Sequence, residues 1–416
     1  MERKLFLTLV FTSILIPWSN ALTTLLLVPL AIFSILLHYQ KGFRPNYGII
    51  IILSALFLIN CISALFQDNK LENLTRVLDQ STLLIVPLLL FGGSFTMSNN
   101  NRNKILIGFA SSTVVMAATN YLYAIYLNYN QYQGLWSALI EVKYDVFSTA
   151  LVHHHQLYMG IYLSVSALIF FYLGTRMFTS KKVMFYFIAT AIALFFLIVL
   201  SVRMALLTTI IALALIVLTL KFPFKLKIRA ILSIFFLIAM GYYFNPKLKE
   251  RIDFLSKFSF EFNYHEDWTY QGLALRLMNW ECSWEVGQKN FFHGVGIANV
   301  QQELNACYLE KKFDSILFFK KTYGTDFNSH NIYLHTFVAS GIFGVLIFTL
   351  SIIILLLISL KKRDRFLLIF LFLFFTQGLT ESLLYREKGI ILFIFFSSIL
   401  LLPTNPSLSK NNLKIN

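Results

Sequence analysis

Twelve apolar stretches recur along this chain, near residues 5–18, 21–38, 48–66, 78–97, 105–126, 149–173, 183–201, 204–220, 228–244, 331–359, 366–379 and 389–403. Most approach the ~20 residues that a helix needs to cross a hydrocarbon core about 30 Å thick. With 57% hydrophobic residues, 13% charged residues and 43 Phe, a soluble fold of 416 residues could not hide so much apolar surface. The expected fold is all-α: a polytopic membrane protein of about twelve transmembrane helices. The start, Met1-Glu2-Arg3-Lys4 with Ser19-Asn20-Ala21 beyond, imitates a cleaved signal peptide. Because Leu22 to Leu37 is apolar as well, the first run is expected to stay as a helix.

Charge then orients the spans. With the N-terminus inside, nineteen Lys and Arg fall on inner segments, from Arg3 and Lys4 through Arg102, Arg176 and Arg363 to Lys410 and Lys414. The short outer connections hold six: Lys70, Arg76, Lys143, Arg203, Arg386 and Lys388. That bias is the positive-inside pattern. It predicts cytoplasmic termini and four regions: helices 1–9 over 1–244, a large outer loop over 245–330, helices 10–12 over 331–403, and a cytoplasmic tail over 404–416. The net charge of +15 is shared among loops on both sides of a membrane. Nucleic-acid binding would want it gathered on one soluble face.

Other chemistries find little support. No CxxC or HExxH spacing occurs, and His153-His154-His155, read as part of a helix, would point in three directions. No metal site is expected, nor any cofactor, and the absence of GxxxxGK argues against ATP. Cys61 lies within a span. Cys282 and Cys307 share the outer loop, where an oxidising compartment would permit a disulfide, although two separate thiols fit equally well.

The unusual polar residues gather on the outer face. Arg203 lies in a short turn between two apolar runs, where it either serves a function or snorkels to headgroups. Arg276 belongs to a stretch in which Leu273, Leu277, Trp280 and Trp284 suggest an amphipathic helix lying flat on the membrane. Gly294-Val295-Gly296 reads as a tight bend. His330 stands where the loop re-enters the membrane, with Asn328 and Ser329 as candidate caps. There a neutral imidazole suits a general base, whereas His335 reads as structural. Glu381, Arg386, Glu387 and Lys388 precede the last span, with Glu381 and Arg386 expected to pair. His155 and Tyr158 open the sixth.

Arginines beside a membrane face can hold a diphosphate through fork-shaped hydrogen bonds, and a nearby histidine can deprotonate a sugar hydroxyl. These parts fit transfer of a glycan from a lipid diphosphate to an acceptor hydroxyl outside the cytoplasmic membrane. A transporter of lipid-linked sugars is the rival, but it would want charged or broken helices near the midplane.

The sequence also resembles the bacterial O-antigen ligases and the related O-antigen polymerases. The segment His330-Asn331-Ile332-Tyr333-Leu334, followed by Gly341-Ile342-Phe343-Gly344, is similar to the family's histidine-asparagine-x-tyrosine-leucine element and its glycine pair. Arg276 to Trp280, Gly294-Val295-Gly296, Ser201-Val202-Arg203, Glu381 to Leu384 and Arg386 to Gly389 resemble further family elements in the same order. The resemblance implies a glycosyltransferase architecture of the GT-C-like kind, with His330 as base and with Arg203 and Arg276 on the diphosphate. Asn331, Tyr333, Arg386, Glu381 and His155 would support them. It implies an undecaprenyl-diphosphate-linked donor, a lipid A–core acceptor and a multi-pass place in the bacterial inner membrane. His155-Gln156-Leu157-Tyr158 only loosely matches the histidine-x-x-tyrosine of related ligases. A polymerase, joining lipid-linked repeats, is the alternative. Arg276 and Gly287 bracket ten residues, as in polymerases, but the short outer segment 127–148 favours a ligase.

Overall fold

The computed structural model describes residues 1–132, 144–176, 182–220, 223–244, 271–324 and 326–404, together with Val142, Lys249 and Asp253. Most of 245–270, the first part of the expected outer loop, lies outside the described residues, as does the expected tail beyond Thr404. So do Lys143, Lys181, Lys221, Lys410 and Lys414 of the charge pattern.

The described chain is helical. The N-terminal half runs through α1 (Glu2–Leu15), α2 (Asn20–Leu25), α3 (Leu27–Lys41), α4 (Tyr47–Leu53), α5 (Ala55–Leu65), α6 (Lys70–Leu78), α7 (Thr82–Phe91) and α8 (Asn99–Tyr132). It continues with α9 (Tyr144–Thr149), α10 (Gln156–Arg176), α11 (Val183–Leu200), α12 (Arg203–Thr219) and α13 (Phe224–Phe244). The loop contributes α14 (Gln271–Lys289), α15 (Val300–Glu310) and α16 (Asp314–Tyr323). The chain returns through α17 (Ile332–Lys361), α18 (Arg365–Gln377) and α19 (Glu387–Leu401).

Every one of the twelve apolar runs contains helix, and the all-α membrane fold stands. By length and apolarity five helices among the described residues can cross a membrane. The number is seven if two bent pairs each count as one span. One of those pairs corrects an expected span: the run at 48–66 breaks at Ser54 into α4 and α5, bent by 66°. The other bend, 52° between α6 and α7, falls where the run at 78–97 begins. The run at 149–173 is corrected too: α10 starts only at Gln156, so the three histidines lie in the connection before it, not on a helix.

Burial follows the composition of each helix. The α10 helix carries almost no charge and is buried all round among α8, α11 and α12. The loop helices build a separate small core from Ala274, Met278, Cys282, Val286, Leu304, Tyr308 and Ile316, stapled by a disulfide between Cys282 and Cys307. The buried stripe of α14 is therefore Ala274, Met278, Cys282 and Val286, not the expected Leu273, Leu277, Trp280 and Trp284. Trp284 is exposed. The helix packs on α17, and that partner, with the staple, selects which of its two apolar stripes is buried.

Gly341 breaks the otherwise long α17, with φ 64° and ψ −165°. The loop backbone fills the break. Val295 and Gly296 donate to the carbonyls of Val338 and Ala339 at 2.8 and 2.9 Å, and Ile342 donates to Phe291 at 2.7 Å. Such an interruption survives at membrane depth only where other backbone groups satisfy it. Gly294 and Gly296 do form a tight bend, at φ 68° and 79°. They also allow contact, since a Cβ on Gly294 would lie 2.5 Å from the Ala339 carbonyl carbon.

Candidate functional site

Three segments meet where the loop enters α17: the turn Asn328–Asn331, the connection Gly378–Arg386, and one face of α14. The turn is latched to the connection by backbone and side chain. Ile332 N–H donates to the Gly378 carbonyl at 2.8 Å, and Asn331 Nδ2 to the Leu379 carbonyl at 3.0 Å. The cap of α17 is Asn331, whose Oδ1 accepts from the Tyr333 and Leu334 amides at 2.9 and 3.0 Å. Asn328 and Ser329, the candidate caps, do not fill that position. Asn328 Oδ1 instead accepts from the His330 amide at 2.8 Å. It holds His330 just outside the helix at φ 41°, a left-handed conformation that costs a non-glycine residue roughly 1–2 kcal/mol.

The imidazole of His330 meets Glu381. Nδ1 lies 3.0 Å from Oε2, with side-chain exposures of 24% and 9%. Burial pushes the Glu381 carboxyl up, but the hydrogen bond and charge of His330, with Arg276 and His155 beyond, outweigh it and hold the carboxyl below its ordinary value. Glu381 thus pairs with His330 and not, as expected, with Arg386. An ionised Glu381 accepts from Nδ1–H, which in the neutral imidazole leaves the Nε2 lone pair as the proton-accepting face of the ring.

The other expected residues fall at different distances from this pair. Arg276 donates through Nε to the Thr380 carbonyl at 3.3 Å, one residue from Glu381. Trp280, one helical turn on, donates to the His330 carbonyl at 3.3 Å. His155 has an exposed edge. Even so, burial lowers its pKa, Glu381 works against that, and His330, Arg386 and Lys388 lower it further. Arg386 is exposed at the start of α19.

Arg203 shares this end of the bundle through its helix. Val202 and Ala205 pack against Gly160, one turn into α10, and Thr208 accepts from Gln377 Nε2 at 2.9 Å. Tyr333 points away along α17, its hydroxyl donating to the Phe375 carbonyl at 3.3 Å. There it lines an apolar groove of about 480 Å³ with Leu215, Ile352, Phe372 and Leu379.

Two polar groups that sequence reading passed over fix the connection. His154 is buried, bonded to the Pro17 carbonyl at 2.6 Å and to Lys388 Nζ at 2.6 Å. Burial first, and Lys388 second, draw its pKa down to about 4, which makes it a neutral strut between the first and last spans. A buried chain runs from Ser340 to Asn60 (2.7 Å), Gln80 (2.7 Å) and the Leu384 carbonyl (3.1 Å). Its only sequence signal is the presence of amides inside apolar runs. Among the described residues, no group of three or more His, Cys, Asp and Glu converges.

A helical membrane protein with a stapled loop domain, and with a His–Glu pair beside arginines where that domain meets the bundle, is the class that fold and site define. Residues 188–349 match the family model described as O-antigen ligase. The match takes in Arg203, Arg276, His330, Asn331 and Tyr333; His155, Glu381 and Arg386 lie outside it. It supports an O-antigen ligase- or polymerase-like function, in a family of membrane glycosyltransferase-like enzymes. No curated protein matches the chain.

Proposed function

We propose that the chain is an O-antigen ligase-like glycosyltransferase that moves a glycan from an undecaprenyl-diphosphate carrier to a lipid A–core hydroxyl at the periplasmic face of the bacterial inner membrane. The observation that carries the reading is the His330–Glu381 pair at 3.0 Å, with Arg276 fastened to the adjoining carbonyl. Glu381 orients the ring so that Nε2 takes the proton of the acceptor hydroxyl. The acceptor oxygen attacks the anomeric carbon, a new glycosidic bond forms, and the bond to the carrier phosphate breaks with its electron pair on the diphosphate. One displacement inverts the anomeric centre. Arg203 and Arg276 take up the charge that develops on the leaving group, while Asn331 and Arg386 support the turn and the mouth of the site. The donor is already activated, so neither nucleotide hydrolysis nor a metal is required.

The apolar groove beneath Asn331, at Tyr333 and Leu379, supports a substrate carried on a long lipid. The disulfide supports an oxidising side for the loop, and the bias of Lys and Arg supports cytoplasmic termini. The four regions read from the sequence remain the proposed organisation. A polymerase would share donor and chemistry and differ in acceptor. Lipopolysaccharide gels of a deletion strain test the choice. Full-length chains retained on the lipid carrier are expected. Lipopolysaccharide bearing single repeats would assign a polymerase, and donor moved across vesicles without transfer would assign a transporter.

A further inference from the structure

At the other end of the bundle from His330, roughly 40 Å away along α17 at 1.5 Å per residue, lies a cavity of about 800 Å³. Five cations line it: Arg44, Arg102, Arg176, Lys362 and Arg363. The carboxylate among its lining residues is Asp364, and it is already committed. It pairs with Arg102 at 2.7 Å and accepts from the Leu367 amide as the cap of α18.

The site is built rather than merely basic. Arg102 is only 8% exposed, yet its Nε has no hydrogen-bond partner among the described residues. A buried guanidinium donor left unmade is costly unless a ligand completes it. The backbone around the cavity is pinned: Arg44 N–H donates to the Gly92 carbonyl at 3.1 Å, and Met97 N–H to the Pro403 carbonyl at 3.0 Å. Apolar side chains, Leu90, Phe95 and Leu401 among them, form the rest of the wall.

We propose that this cavity binds a phosphate group, that of an anionic phospholipid headgroup in the leaflet opposite the His330 end. Arginine forks match phosphate oxygens, and basic pockets between transmembrane helices are a recurring form of headgroup site. The mixed wall fits a phosphate ester with its acyl chains better than a free ion. Nothing in this proposal depends on the transfer chemistry.

The test uses purified full-length protein in neutral detergent, with native mass spectrometry to count retained lipid. Phosphatidylglycerol should be retained at concentrations at least about tenfold below those needed for phosphatidylcholine. The double variant R176Q/R363Q alters two exposed side chains and should lose that preference while keeping its thermal unfolding midpoint. D364N keeps the cap, removes the competing carboxylate, and should bind phosphatidylglycerol several-fold more tightly. Inorganic phosphate forms the second arm: if it stabilises the wild-type protein against heat and phosphatidylglycerol does not bind, the phosphate comes from solution. Equal retention of both lipids, with no response to phosphate, would overturn the proposal. So would wild-type binding in the double variant, or weaker binding in D364N.

Discussion

His330 occupies a left-handed backbone position that its neighbours enforce, and its ring is turned by a carboxylate 51 positions along the chain. Glu381→Gln keeps the shape but removes the charge that orders Nδ1–H. Transfer is expected to fall on the order of 100-fold, with little change in KM. The pair also carries a pH dependence. Its carboxyl sits below the ordinary value, so it contributes stability above the ordinary carboxylate range, about 4.3, and that contribution is lost as pH falls through the folded value. The thermal midpoint of the wild type should therefore drop more than that of E381Q between about pH 6 and about pH 3. Parallel curves would show that the pair adds nothing to folding.

At the level of elements, the loop domain is held by one covalent staple and one backbone junction. Reducing the Cys282–Cys307 bond, or replacing both cysteines by Ser, should destabilise the loop domain by about 3.5 kcal/mol on the chain-entropy model. Hydrogen exchange should show α14 and α15 opening first. Gly294→Ala would force a Cβ onto the Ala339–Ser340 backbone and should undock the loop from α17, with loss of transfer and a lower thermal midpoint. An unchanged midpoint would mean that the junction can yield.

The same elements mark how far sequence reading reaches. Apolar runs are local signals, so each contains helix, although ends such as the start of α10 at Gln156 move by a turn or more, and His330-Asn331 is legible as the point of re-entry. Which stripe of α14 is buried depends on α17 and on the disulfide, neither of which the spacing of Leu273, Leu277, Trp280 and Trp284 contains. Glu381 is legible as a charge near the membrane, but sequence nearness points to Arg386 as its partner. The fold brings His330 closer because Ile332 and Asn331 bond back to Gly378 and Leu379. The break at Gly341 was visible as a glycine, not as a seat for the loop backbone.

Across the whole molecule, polar chemistry divides between two ends: the His330–Glu381 pair beneath the stapled loop, and the cluster of Arg44, Arg102, Arg176, Lys362 and Arg363 opposite. Single cysteines at exposed Lys321 and Arg363 should test the proposed sidedness in cells whose outer membrane has been made permeable. An impermeant maleimide should label K321C in intact spheroplasts and R363C only after lysis. The reverse pattern would invert the topology and move the proposed chemistry to the cytoplasm.

The proposed role of His330 is tested most directly by the initial rate of glycan transfer from a purified lipid-diphosphate donor, in wild type and His330→Ala of equal thermal stability. A positioned base contributes about 100- to 10,000-fold, so the variant should be slower by that factor while still binding donor. Transfer by H330A within a few-fold of the wild-type rate would contradict the assignment of His330 as the base.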